Sequence, residues 1–250
     1  MRLKLDIIPE EDFSYWEINK HTIQGMIYSH LWNTEYKKMH EEKKFKFFSF
    51  SDIFPPTDFK KGEEKNFIIS SPDREFIEVL YQELKNEKYL YFGKRGFMLK
   101  KINKFNLPLK KRFITGSPIV LYQDNRENLY FSFERNPDLS FFLERLKDNA
   151  LKKYNAFYRE NFTMENMIFD KIIFGREVVV PLTKGRNKFI IIGTTWKTLE
   201  KFKYDRDEKR VYKFIMDCGL GEKNSLGFGF LNPVREKQQN SKALIIYEYD

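Results

Sequence analysis

The chain has 250 residues, enough for one large domain or two small ones, with a real core in either case. Lys and Arg number 45 against 36 Asp and Glu, a formal charge of +9, so a polyanionic partner is expected; RNA, DNA or an acidic membrane surface would satisfy it, and a solvated lysine-rich surface is the plain alternative. A single cysteine, Cys218, excludes an intramolecular disulfide, and no apolar run reaches the length of a membrane span or a signal-peptide core, so a soluble cytoplasmic protein is expected.

Arg2 to Ile8 alternates as a strand, and Ile23, Met26, Ile27 and Leu31 place an apolar stripe on a helix from about His21 to Trp32, with a short helical segment through Lys38. Phe45–Ser51 and Asn66–Ser70 read as a strand pair, separated by a breaker cluster containing Pro55, Pro56 and Gly62. Pro72 and Asp73 open a second helix with Phe76, Ile77, Leu80 and Leu84 on one side. Tyr89–Phe92 and Phe97–Ile102 form a hairpin, and Asn103 to Lys111 reads as a linker.

The same order then repeats. A strand-like stretch from Arg112 to Tyr122 precedes a long helix from about Pro137 to Glu160, followed by strands Lys171–Leu182 and Lys188–Trp196. Val211, Phe214, Ile215 and Cys218 keep helical spacing, so a last helix runs from about Asp205 until Gly219 ends it, and Phe228–Leu231 is the closing strand. This predicts an α+β chain of two tandem ferredoxin-like (RRM-like) βαββαβ domains, residues 1–107 and 108–250. Residues 235–250 are ambiguous: Ala243–Tyr247 would suit an added strand, a contact with another subunit or a tail.

The densest signal lies between the last helix and the last strand. Gly219, Gly221, Gly227 and Gly229 bracket Glu222, Lys223, Asn224 and Ser225, where glycines permit left-handed backbone and close approach to a ligand. A dinucleotide fingerprint requires strand before helix, and a phosphate-binding P-loop requires Lys-Ser/Thr after its second glycine; neither pattern is met. A plain glycine-rich turn remains the simple alternative.

This segment resembles the C-terminal glycine-rich motif of the RAMP superfamily, and more narrowly of the CRISPR-associated endoribonucleases that cut repeat RNA into guide RNAs; Lys223–Gly229 carries the closest match. The opening strand ending in Ile8-Pro9-Glu10, then Ile23–Tyr28 and Met39–Glu41, resembles the start of the same proteins. The resemblance implies a catalytic set of Tyr28, His40 and Lys46, with His30 and the Lys43-Lys44 run as alternatives. Taken singly, Tyr28 reads as helix packing, His40 as a surface histidine and Lys46 as an edge lysine sharing a strand face with Phe48 and Phe50. As a matched set they read as catalytic.

What the resemblance implies chemically is cleavage by attack of a ribose 2′-hydroxyl on the adjacent phosphorus, with no cofactor and no metal, leaving a 2′,3′-cyclic phosphate and a 5′-hydroxyl. Histidine suits the proton transfers, a lysine the charge of the transition state. The expected RNA contacts are Gly219, Gly221, Lys223, Asn224, Ser225, Gly227 and Gly229, joined by Lys184, Arg186 and Lys188 of a basic hairpin, with Lys110, Lys111 and Arg112 at the junction. CRISPR repeat RNA is the expected partner, for a monomer or homodimer. The rival is a non-catalytic RAMP subunit that binds guide RNA within a CRISPR effector complex, which has no reason to keep Tyr28, His40 and Lys46.

Overall fold

The computed structural model describes residues 1–234 except Lys43, Gly185 and Arg186; the side chains of His40 and Lys184, the expected contact Arg186 and the ambiguous segment 235–250 lie outside the described residues. In the first half, β1 (Arg2–Pro9), α1 (Lys20–His30), β2 (Ser49–Phe50), β3 (Lys65–Ser70), α2 (Arg74–Leu84), β4 (Tyr89–Phe92) and β5 (Arg95–Phe105) follow in order. They build one antiparallel sheet ordered β2-β3-β1-β5-β4. Without the edge strand β4, this is the ferredoxin-like arrangement, in which the first strand lies between the third and the last.

The second half contains β6 (Arg112–Thr115), the small hairpin β7 (Tyr122–Asp124) and β8 (Leu129–Tyr130), α3 (Leu139–Tyr158), β9 (Lys171–Lys184), β10 (Asn187–Glu200), α4 (Glu208–Cys218) and β11 (Leu231–Pro233). Its sheet is ordered β11-β6-β10-β9, the same arrangement again. Thus both halves are ferredoxin-like, as the element order predicts.

Local chemistry places the helices. The side chains of Asn19, Asp73 and Asp138 accept from the first free amides of α1, α2 and α3, and Gly219 ends α4 at φ 92. The alternating residues Leu3, Leu5 and Ile7 of β1 are buried under Ile23 and Ile27 of α1 and Ile77 and Leu80 of α2. Leu146 and Ala150 of α3 and Val211 and Phe214 of α4 belong to a second core that includes Trp196 of β10.

Three expected spans differ. Of Phe45–Ser51 only Ser49 and Phe50 pair with β3, because Phe47 leaves the sheet to pack on Phe157 and Phe214 of the second half, and its carbonyl accepts from Ser71 Oγ. Lys46 therefore precedes β2 and shares no strand face with Phe48 and Phe50. The expected linker begins late, since β5 continues to Phe105 in order to pair its last residue with Arg2 of β1. Arg112–Tyr122 is not continuous: β6 stops at Thr115, and Ile119 and Val120 make isolated bridges to Thr194 and Glu222.

The halves are joined by buried charge. Arg2, fully buried on β1, donates to the Met216 and Leu231 carbonyls at 2.8 and 2.7 Å and lies 4.7 Å from the centre of the Phe230 ring. The Met1 ammonium donates to Asp217 at 3.2 Å.

Candidate functional site

The glycine-rich segment, which leaves α4 and enters β11, lies between the halves. Its glycines meet protein rather than open space. A Cβ at Gly221 would stand 2.4 Å from the Val120 carbonyl oxygen, and one at Gly229 would stand 1.8 Å from that of Leu220. Gly227, at φ 81, faces the Phe50 ring, which a Cβ would meet at 2.2 Å. Several amides of the segment bond inward: Glu222 N to Val120 O, Gly229 N to Pro118 O and Leu220 N to Gly229 O. The freedom of these glycines thus serves close approach of the chain to itself. Lys223 and Ser225 of the segment are half-buried.

Its carbonyls are held by cations that sequence patterning does not assign to a site. Lys153 of α3 is buried and donates to the Gly219 and Gly221 carbonyls at 2.9 and 2.8 Å and to Asn224 Oδ1 at 2.5 Å. Burial lowers its pKa, while nearby Cys218 and Glu222 oppose the shift. From the other half, Lys20 of α1 donates to the Gly227 carbonyl at 2.7 Å and to Asp52 at 2.6 Å. Asn224 is itself buried and ties the Leu220 and Phe228 carbonyls together. The side chain of Asn224, an expected RNA contact, is thus engaged within the segment.

Helix α1 lies directly on this segment. Gln24 donates to the Ser225 carbonyl at 2.8 Å, and Tyr28, one turn further along the helix, lies close enough to Ser225 for that side chain to influence its phenol. Tyr28 also meets the Phe48 ring edge-on at 6.0 Å. Burial pushes its phenol up to about 12, offset in part by Ser225, so the hydroxyl keeps its proton at neutral pH and can donate it. The structure therefore brings one expected catalytic residue to one expected RNA contact.

His40 closes the short helix Lys37–His40, and Lys46, half-buried in the coil before β2, donates to the Glu42 carbonyl. His30 Nδ1 lies 2.8 Å from the Met26 carbonyl of its own helix, which makes that nitrogen a donor in this arrangement. Lys188 is exposed on β10, opposite Thr183 of β9. The strands of this hairpin reach the glycine-rich segment through a small core of Leu182, Ile191, Val120, Leu226 and Phe228, and Phe189 meets His21 of α1 edge-on at 5.9 Å. Among the described residues no group of three or more His, Cys, Asp or Glu side chains could hold a metal ion, and no helix is long and apolar enough to cross a membrane.

Two ferredoxin-like folds in tandem, with a glycine-rich segment that packs on the first helix, are the arrangement that the resemblance to RAMP proteins implies. The family described as "CRISPR associated protein Cas6, C-terminal" matches residues 102–233. A CRISPR-associated endoribonuclease Cas6 of Methanocaldococcus jannaschii is 53% identical over 241 residues, covering 94% of this chain and 100% of the relative. A second from the same organism is 34% identical over 257 residues, covering 98% and 97%. A solved structure described as "CRISPR associated protein Cas6" superposes with a TM-score of 0.68 at 27% identity, covering 94% of this chain and 99% of that one. The chain belongs to the Cas6 family of CRISPR-associated endoribonucleases.

Proposed function

We propose that this endoribonuclease cleaves CRISPR repeat RNA into guide RNAs in the cytoplasm, without a metal ion, at a site formed where α1 meets the glycine-rich segment. The observation that supports this is the packing of α1 on the glycine-rich segment, where Gln24 donates to the Ser225 carbonyl and Tyr28 lies beside Ser225. In the reaction a bond forms between the ribose 2′-oxygen and the adjacent phosphorus while the bond from phosphorus to the 5′-oxygen breaks. A base removes the 2′-hydroxyl proton and an acid protonates the leaving 5′-oxygen, giving a 2′,3′-cyclic phosphate and a 5′-hydroxyl. His40 supplies one of these proton transfers, Tyr28 donates a hydrogen bond to the reacting phosphate, and Lys46 stabilises its added negative charge. Lys223 and Ser225 hold the RNA beside the site, with Lys188 and the neighbouring hairpin extending the basic track.

Repeat RNA incubated with the protein in EDTA is expected to be cut at the undiminished rate, and a substrate with a 2′-deoxy sugar at the scissile position is expected to stay intact. Loss of cleavage in EDTA, or cutting of the deoxy substrate, would overturn the mechanism. Tyr28→Phe keeps the ring on Phe48 and removes the hydroxyl alone. Its single-turnover rate should fall by about 10- to 100-fold. Because the phenol titrates near 12, above the working range, wild type and variant should show rate–pH curves of one shape and different height between pH 6 and 9. A missing limb in the variant would show that the phenol ionises during the reaction.

A further inference from the structure

The side chain of Lys223 leaves the glycine-rich segment at an unusual place. Its own backbone is left-handed at φ 57, a region a non-glycine residue enters only when its surroundings hold it there. They do: the Leu226 amide returns to the Lys223 carbonyl at 3.0 Å, and the preceding amide, Glu222 N, is fixed to Val120 O at 2.7 Å. The direction in which the side chain departs is therefore set by the fold.

It departs toward two tyrosines. Tyr122 of β7 and Tyr130 of β8 are direct cross-strand partners in the small hairpin inserted between β6 and α3, and their rings stack at 5.0 Å and 20°. The Lys223 ammonium lies 5.4 Å from the centre of the first ring and 5.6 Å from that of the second. Lys223 lies close enough for its charge to oppose the upward push that burial gives the Tyr130 phenol. The hairpin is held from below, since Arg145 of α3 donates to the Tyr122 carbonyl at 3.2 Å.

The other lysines of this region are occupied by protein oxygens: Lys153 by three acceptors of the segment, and Lys20 by Asp52 and the Gly227 carbonyl. Lys223 forms no ion pair among the described residues. The carboxylate nearest in sequence, Glu222, accepts instead from Asn149 at 2.7 Å. Aromatic faces attract an ammonium without cancelling its charge, as a carboxylate would. Holding the long side chain in place beforehand also removes part of the rotamer entropy that a free lysine loses on binding.

We propose that Tyr122 and Tyr130 are positioning residues that present the uncancelled charge of Lys223 to a phosphate of the bound RNA. This rests on the reading that RNA lies along the glycine-rich segment. The hairpin that carries the rings thereby becomes part of the binding apparatus, although neither ring need touch the RNA.

The test is equilibrium binding of repeat RNA, made with 2′-fluoro sugars to prevent cleavage, over a range of salt concentrations. Lys223→Ala should weaken binding by about tenfold and flatten the plot of log K against log salt by about one unit, the signature of one lost phosphate contact. Joint replacement Tyr122→Leu with Tyr130→Leu should weaken binding 3- to 10-fold and reduce the same slope. Tyr122→Phe with Tyr130→Phe, which keeps both rings, should stay within twofold of wild type. In the Lys223→Ala background the leucine pair should add nothing.

Wild-type affinity in the leucine pair, or losses that simply add to that of Lys223→Ala, would overturn the positioning role while leaving the segment as the RNA seat. Wild-type affinity and slope in Lys223→Ala itself would overturn both. Should melting show that the leucine pair unfolds the hairpin, Tyr130→Leu alone carries the comparison, because the Tyr130 ring lies under the ammonium and its phenol feels the Lys223 charge.

Discussion

Gly229→Ala is expected to be among the most destabilising single-methyl changes available in this chain. The residue sits at φ 69, where an alanine is strained by about 1–2 kcal/mol before any contact is counted. Its Cβ would stand 1.8 Å from the Leu220 carbonyl oxygen and 2.8 Å from Asn224 Nδ2, so the segment would have to part from itself. Parting disturbs the bonds Leu220 N to Gly229 O and Gly229 N to Pro118 O, and with them the carbonyls that Lys153 holds. A buried ammonium separated from its acceptors is costly in a way a surface lysine is not. The total should reach about 4 kcal/mol, the range that marks a specific mechanical fault, and lower the melting temperature by roughly 8–16 °C for a chain of this size. Gly62→Ala is the control: φ is 84 but no atom lies within 4 Å of the added carbon, so strain acts alone. It should cost about 1–2 kcal/mol. Equal losses in the two variants, measured by reversible denaturant unfolding, would show that the glycine-rich segment yields easily and is not the joint between the halves.

That joint explains what a reader of the sequence can and cannot see. Helix α4 and its end were legible because Val211, Phe214, Ile215 and Cys218 repeat at helical spacing and Gly219 stops them. Both ferredoxin-like units were legible in the order of their elements. The strand around Lys46 was not: Phe45, Phe47 and their neighbours have strand-forming chemistry, and only the distant partners Phe157 and Phe214 draw Phe47 away from the sheet. Long-range packing overrode local propensity there. The glycines announced a close approach, but a pattern of glycines does not say what is approached. Here it is the chain's own carbonyls and the Phe50 ring.

The cations that serve the segment were hidden to different degrees. Lys153 left a faint mark, because it follows Leu146 and Ala150 on the apolar stripe of α3, where a lysine is out of place unless it has a buried partner. Arg2 left none: alternation along β1 assigns it to the open face of its sheet, and the second half covers that face. Tyr122 and Tyr130 were equally silent, since a hairpin as short as theirs has no periodicity to detect.

His40→Ala tests the chemistry where Gly229→Ala tests the frame. Loss of a positioned proton carrier should lower the single-turnover cleavage rate by about 10²–10⁴-fold, or roughly 3–5 kcal/mol of transition-state stabilisation. Binding of 2′-fluoro repeat RNA should stay within about twofold, because general acid–base catalysis acts on the moving proton rather than on the bound ground state. His30→Ala should change neither quantity by more than a few-fold, since His30 Nδ1 is engaged with the Met26 carbonyl of its own helix. The wild-type pH profile then assigns the direction of transfer. A base must begin deprotonated, so a rate that climbs with pH through the histidine range and flattens above it makes His40 the acceptor of the 2′-hydroxyl proton. A rate that falls through the same range makes it the donor to the leaving 5′-oxygen. In either case the histidine limb should vanish in His40→Ala while the Tyr28→Phe profile keeps it, because the phenol holds its proton to about 12. A limb that survives in His40→Ala and disappears in His30→Ala would transfer the role to the end of α1, on the helix that already carries Tyr28 to the glycine-rich segment.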